Sequence, residues 1–188
     1  NAIVTIGNFN KGQTILIQGA SSGVGLMGLQ IAKNLGAKLV IGTSTKPEKF
    51  DKLKSIGADL VVNSKDKDWV DQVLQATNNE GVDLIIDQLS GYTINENMRA
   101  SKVKGTIVNV GRLAGGNTEF NCDLHALRRI NYRGVTFRTR SINEIREVYS
   151  KMWSDLGDLV VKGKLSLPIE KIFEFDDVSD ALSCMRNN

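Results

Sequence analysis

Cysteine, histidine and proline are scarce in this chain of 188 residues, which holds two cysteines, one histidine and two prolines. Cys122 and Cys184 stand far apart with no framework of regular spacings, which argues against a small secreted fold stapled by disulfides and fits a reducing, cytoplasmic setting. Cys122 and His125 form a Cys-x-x-His spacing, but zinc takes about four ligands and only one other cysteine remains, so no metal site is expected. Cys122 reads instead as a buried thiol at a helix start. No apolar run approaches the roughly 18–20 residues of a membrane span, and the opening lacks the charged and apolar regions of a signal peptide. Internal repeats and low-complexity tracts are absent too. The chain opens without Met and its first strong strand starts only at Thr14, so it reads as a segment of a longer protein.

Aromatic residues make up 6% of the chain, which bears on its charge. The net charge is +3 and the pI about 8.9, with arginines gathered between Arg128 and Arg140 in RRINYRGVTFRTR. Such a cluster could draw phosphates or RNA. With few rings to stack on bases and no nucleic-acid fold signature, a solvated face beside a strand is expected instead.

What is present is a 41% hydrophobic chain in which short apolar strands alternate with amphipathic helical stretches. That alternation calls for parallel pairing through right-handed crossovers, and hence an α/β, doubly wound sheet of the Rossmann type with six parallel strands. The strands are expected at residues 14–18, 39–42, 60–62, 82–87, 105–110 and 134–137. Helices are expected from Val24 to Leu35 (with Val24, Met27, Ile31 and Leu35 as the apolar face), and over 48–56, 68–77, 93–102, 123–131 and 142–161. The last of these should pack across the sheet. A further strand at 171–175 and a helix at 177–185, with Val178, Ala181, Leu182 and Met185 inward, complete the pattern.

After the first strand comes Gly19-Ala20-Ser21-Ser22-Gly23-Val24-Gly25. A dinucleotide pyrophosphate needs such a turn, where backbone approaches closely and helix N–H groups point at the anion. A glycine loop alone is a weak signal; its place after the first strand of a six-unit pattern strengthens it. The string is similar to the loop of short-chain dehydrogenases, which carry a Tyr-x-x-x-Lys pair. Here Tyr92, Tyr132 and Tyr149 are followed four residues on by Glu96, Thr136 and Trp153, and that resemblance fails.

Read as Ala20-x-x-Gly23-x-Gly25, the loop resembles that of zinc-independent, quinone-oxidoreductase-like members of the medium-chain dehydrogenase/reductase superfamily. Lys11-Gly12-Gln13, KSIGAD at 54–59, GVDLIIDQLSG at 81–91 and GVTFRTRS at 134–141 carry the same resemblance over nearly the whole length. It implies an NAD(P)-binding domain at 1–168, with 169–188 a truncated return toward a GroES-like catalytic domain that is not in this sequence. It implies hydride transfer from NADPH to a quinone or α,β-unsaturated carbonyl in the full-length protein, the chemistry being mostly the cofactor's. No catalytic residue can be named. The alternatives are a zinc-type alcohol dehydrogenase-like domain, or a non-catalytic module that binds NADPH, senses redox state or binds RNA.

NAD specificity usually rests on an acid near the end of the second strand, and no acid lies between Leu26 and Pro47. Gly42-Thr43-Ser44-Thr45-Lys46-Pro47-Glu48-Lys49 offers hydroxyls and lysines suited to a phosphate dianion, so NADP(H) is the expected cofactor. The resemblance assigns Lys49 to the 2′-phosphate and puts Ser64 where many relatives place a tyrosine against the adenosine. Expected cofactor contacts are thus Ala20, Ser21, Ser22, Gly23, Val24, Gly25, Ser44, Lys49 and Ser64, with Leu89, Gly111, Arg112 and Leu113 at strand ends facing the crevice. Phe137 and Arg138 resemble the segment bordering the nicotinamide. The sixth strand is also an exposed edge suited to homodimer pairing.

Overall fold

A computed structural model describes residues 1–169 and 171–187. Its six strands, β1 (Thr14–Ile17), β2 (Leu39–Thr43), β3 (Leu60–Val62), β4 (Val82–Asp87), β5 (Ser101–Asn109) and β6 (Asn131–Gly134), form one sheet in the order β3-β2-β1-β4-β5-β6. Every pairing is parallel. The chain winds outward from β1 to β3, returns to the other side of β1 and winds outward again to β6. The crest between β1 and β4 is therefore the switch point, where doubly wound sheets leave a crevice.

Both faces of a parallel sheet are covered, so its central strands read as unbroken apolar runs. On one face Ile15, Ile17, Val40, Leu84 and Ile86 pack against Leu29 and Ala32 of α1 (Gly23–Asn34) and Leu53 of α2 (Phe50–Ile56). On the other, Leu16, Ile41, Ile85 and Ile107 meet Trp69, Val70 and Val73 of α3 (Trp69–Ala76) and Met98 of α4 (Ile94–Ala100). The remaining helices are α5 (Cys122–Arg128), α6 (Ile142–Val161) and α7 (Val178–Asn187). A wide helical turn, Ala2–Ile6, precedes β1 and buries Ile3; the sequence reading began the ordered fold later.

Several expectations need correcting. The buried side of α1 is Gly25, Gly28, Leu29, Gln30 and Ala32, while Val24 is 61% exposed. Ile31 and Leu35 do pack, half-buried, against this core as expected, while Val24 and Met27 lie on the helix flank, where with Ile31 they line an apolar cavity of about 340 Å³. The sixth strand lies at Asn131–Gly134 rather than on the more apolar 134–137, because an open edge strand has little burial to mark it. The fifth starts earlier, at Ser101, through an irregular register against Val82 and Leu84.

Helix α6 has the expected bounds but buries only Leu156 and Gly157, leaving Ile142 and Tyr149 exposed. Residues 171–174 form no strand, since the sheet edges are β3 and β6 and neither pairs with them. Of the residues expected to face inward on α7, Val178, Leu182 and Met185 are exposed. Cys122 is exposed rather than buried. No helix among the described residues is long and apolar enough to cross a membrane.

Leu29 carries the contact between α1 and the sheet and is fully buried. Leu29→Ala should lower stability by about 2–5 kcal/mol, read as a lower urea midpoint at constant slope.

Candidate functional site

The polypeptide leaves β1 at Ile17 and enters α1 six residues later through a turn that only small residues fit. Gly19 has φ +66°, in the left-handed region that glycine enters freely. A Cβ on Gly25 would lie 2.5 Å from the Gly19 carbonyl oxygen, so the first turn of α1 rests directly on the loop. Ser22 caps the helix, its Oγ accepting the Gly25 N–H at 3.1 Å, and no acidic residue stands in the first turn. The other free N–H groups and the positive end of the helix dipole are thus presented outward, a disposition that favours an anion.

Polar groups beneath the turn hold it in place. Thr43 Oγ1 accepts the Gly19 N–H at 3.0 Å and donates to Gln18 Oε1 at 2.7 Å. Gln18 Nε2 donates to Asn97 Oδ1 at 2.6 Å, and Gln88 Nε2 donates to the Gln18 carbonyl at 3.1 Å. Ser22 Oγ lies 2.8 Å from Gln88 Oε1 and 2.9 Å from the Gly19 carbonyl, so one hydroxyl proton serves both acceptors. Gln18, Thr43 and Asn97 are fully buried and Gln88 nearly so, where each bond is strengthened by the low dielectric and each loss leaves a buried group unpaired.

Across the switch point, Asp87 ends β4 with no exposed surface. Its Oδ1 accepts the N–H groups of Leu89 and Ser90, both at 2.9 Å, while Oδ2 has no partner among the described residues. Ser90 is held at φ 54°, ψ −145°, a conformation L residues rarely adopt, at a cost of about 1–3 kcal/mol. Its hydroxyl donates to the Gly111 carbonyl at 2.9 Å and accepts from Asn109 Nδ2, which also donates to Tyr132 Oη at 3.1 Å. Leu113 N–H bonds the Gln88 carbonyl and Ala114 N–H the Leu89 carbonyl, tying the loops after β4 and β5 together. Burial pushes the Asp87 carboxyl above the ordinary 3.8, against the Ser90 and Leu89 N–H groups and the Asn97 side chain, which pull it down. Burial, then the negative charge of Asp87, raises the Tyr132 hydroxyl.

Over this crest runs a groove of about 730 Å³. The structure brings together there Ser21, Ser22, Gly23, Ser44, Lys49, Ser64, Leu89 and Leu113 of the expected contacts, and adds Gly19, Thr43, Thr45 and Met185. Ala20 and Gly25 are buried under the turn, and Val24 faces the neighbouring apolar cavity. Gly111 packs on the Gln88 carbonyl and Arg112 is exposed, both in the loop after β5 but outside the groove lining. Phe137 and Arg138 lie beyond β6, exposed and away from it. The supporting Gln18, Asn97 and Asn109 were missed; Gln18 and Asn109 are polar residues closing apolar strands, whereas Asn97, on α4, left no such signal.

The groove has two chemical halves. On the β2–β3 side stand Ser44, Thr45, Lys49 and Ser64, with the buried Ser64 Oγ lacking any hydrogen-bond partner among the described residues. On the β4–β5 side Leu89 and Leu113 supply apolar surface. Elsewhere, three arginines of the basic cluster serve the fold: Arg128 donates to the Ser101 carbonyl, Arg133 to Ile6 and Arg140 to Thr136. Among the described residues no three His, Cys, Asp or Glu side chains gather as a metal site.

Fold, crest turn and groove together define a dinucleotide-binding domain. Residues 23–154 match the zinc-binding dehydrogenase family, and the chain belongs to it, as the cofactor-binding domain of a medium-chain dehydrogenase/reductase oxidoreductase. A relative, the highly reducing polyketide synthase AN6791 of Emericella nidulans, is 32% identical over 86% of this chain and 6% of its own length. The CurK enoyl reductase structure superposes with a TM-score of 0.79 at 22% identity, covering 99% of this chain and 56% of that one. Escherichia coli quinone oxidoreductase complexed with NADPH gives 0.76 at 22% identity, over 89% and 51%. The chain spans about half of these solved proteins and 4–8% of the curated synthases it matches.

Two predictions follow from the buried polar groups. Thr43→Val keeps the shape but strands the Gly19 N–H and Gln18 Oε1, and should cost about 1–3 kcal/mol by urea unfolding. Because Asp87 has a higher pKa folded than unfolded, the native protein holds an extra proton as pH rises above 3.8, and stability falls through that window. Asp87→Asn removes this dependence, so its stability relative to wild type should increase as the pH rises above the ordinary carboxylate value of 3.8, read in urea titrations.

Proposed function

We propose that the groove binds NADP(H), and that in the full-length protein it delivers a hydride to a quinone or an α,β-unsaturated carbonyl. The observation that carries the cofactor reading is the acid-free rim at the end of β2. Ser44, Thr45 and Lys49 line the groove there beside the partnerless Ser64 hydroxyl, where an NAD-selective site would place a carboxylate against the ribose. A 2′-phosphate supplies the charge and acceptor oxygens those groups lack. The pyrophosphate then falls at the capped end of α1, and the nicotinamide on the side of Leu89 and Leu113. Arg112, Phe137 and Arg138 are placed by this reading near the ring only if their loops close over it.

When bound, the cofactor supplies the hydride; the residues of this chain bind, orient and shield it. The enoyl reductase and NADPH-bound quinone oxidoreductase among the solved neighbours support the acceptor class, and the polyketide synthases favour its enone branch. The open edge of β6 supports pairing with a second copy, which light scattering would report as a dimer mass.

Titration with NADPH and NADH, followed by nucleotide fluorescence, tests the cofactor reading. Lys49→Ala should weaken NADPH about ten-fold or more through loss of a charge-assisted contact, and Ser64→Ala should weaken it less, with NADH unaffected by either. Equal loss for both nucleotides would contradict a phosphate-reading rim.

A further inference from the structure

We propose that Asp87 is a positioning residue for the nucleotide, holding the turn at Leu89 and Ser90 in the conformation that presents Leu89 to the groove. The proposal rests on the nucleotide reading above. Asp87 is fully buried at the end of β4 and is not among the residues lining the groove, so its role is assigned to the turn it holds rather than to direct contact. One carboxyl oxygen gathers two consecutive N–H groups, those of Leu89 and Ser90. Ser90 pays for that arrangement with a strained backbone, which persists only where its surroundings over-determine it. The surroundings are visible: Asp87 Oδ1 below, Gly111 and Asn109 bonded to the Ser90 hydroxyl, and the Ala114 N–H bonded to the Leu89 carbonyl. Released from Oδ1, the turn has every reason to relax, and Leu89 would leave its place opposite Leu113.

Sheet order fixes which part of the ligand feels this. Ser44 and Ser64 follow β2 and β3 on one side of β1, whereas Leu89 and Leu113 follow β4 and β5 on the other. An adenosine fragment bearing the 2′-phosphate reaches only the first side, and a complete dinucleotide spans both. Asp87 should therefore matter for NADPH and NADH alike, and not for 2′,5′-ADP. Only the acceptor oxygen is required, so an amide can replace the carboxylate.

The test is calorimetric titration of wild type, Asp87→Ala, Asp87→Asn, Leu89→Ala and Lys49→Ala with NADPH, NADH and 2′,5′-ADP, with a thermal melt of each variant. Asp87→Ala is expected to weaken both dinucleotides about ten-fold while leaving 2′,5′-ADP unchanged, and Asp87→Asn to bind all three like wild type. Leu89→Ala, on the half-buried turn itself, should show the same split and carries the test if Asp87→Ala does not fold. Loss of 2′,5′-ADP binding in step with NADPH, unchanged NADPH binding in Leu89→Ala, or an Asp87→Asn as weak as Asp87→Ala would overturn the proposal. Lys49→Ala separates it from the cofactor reading: that reading fails if Lys49→Ala spares NADPH and 2′,5′-ADP, while the Asp87 effect is still measured on NADH.

Discussion

Thr43 Oγ1 accepts the Gly19 N–H and donates a hydrogen bond to Gln18, whose amide reaches Asn97, while Gln88 closes the circuit to Ser22 at the head of α1. This buried chain joins β2, β1, α4, β4 and the capped helix at the one level of the sheet where the strands end. Apolar packing alone would leave a glycine turn free to move, since Gly19 has no side chain to wedge. Hydrogen bonds in a buried layer supply the directionality that packing lacks, and a satisfied network specifies a single arrangement. The outward aim of the α1 N–H groups depends on it.

The same layer continues past the switch point in a different form. There the anchor is a carboxyl, Asp87, and the held element is a strained turn rather than a glycine loop. One side of the crest is thus set by neutral amides and hydroxyls under a polar rim, the other by a buried acid under an apolar one. A ligand with a phosphate-rich end and a flat apolar end matches that division. Family membership agrees with it, as a cofactor-binding domain that matches about half the length of these solved proteins.

Much of this was legible in the residues. Apolar runs such as residues 15–17 and 84–86 announce strands buried on both faces, and the glycine spacing after the first announces the turn. The groove residues Ser21 and Ser44 followed from position after strands one and two, while Lys49 and Ser64 came from the family resemblance. The failures share a cause. Periodicity cannot tell a face that packs from one that merely could, so Val24, the N-terminal half of α6 and the apolar side of α7 were assigned to a core that does not reach them. Strand β6, polar and at the edge, carried no burial signal at all. The locking role of Gln18 was invisible because hydrogen bonds between distant elements leave no local pattern; only the oddity of a glutamine closing an apolar strand hints at it.

Backbone amide NMR during addition of NADP+ would test the central claim, that the turn held by this network receives the dinucleotide's pyrophosphate. The account predicts shifts concentrated at the amides of Gly19, Ser22, Gly23 and Gly25, extending to Ser44 and Lys49, with Thr77 and Gly81 at the opposite end of the sheet unmoved. Shifts absent from the turn, or centred on the apolar flank of α1 at Met27 and Ile31, would contradict it.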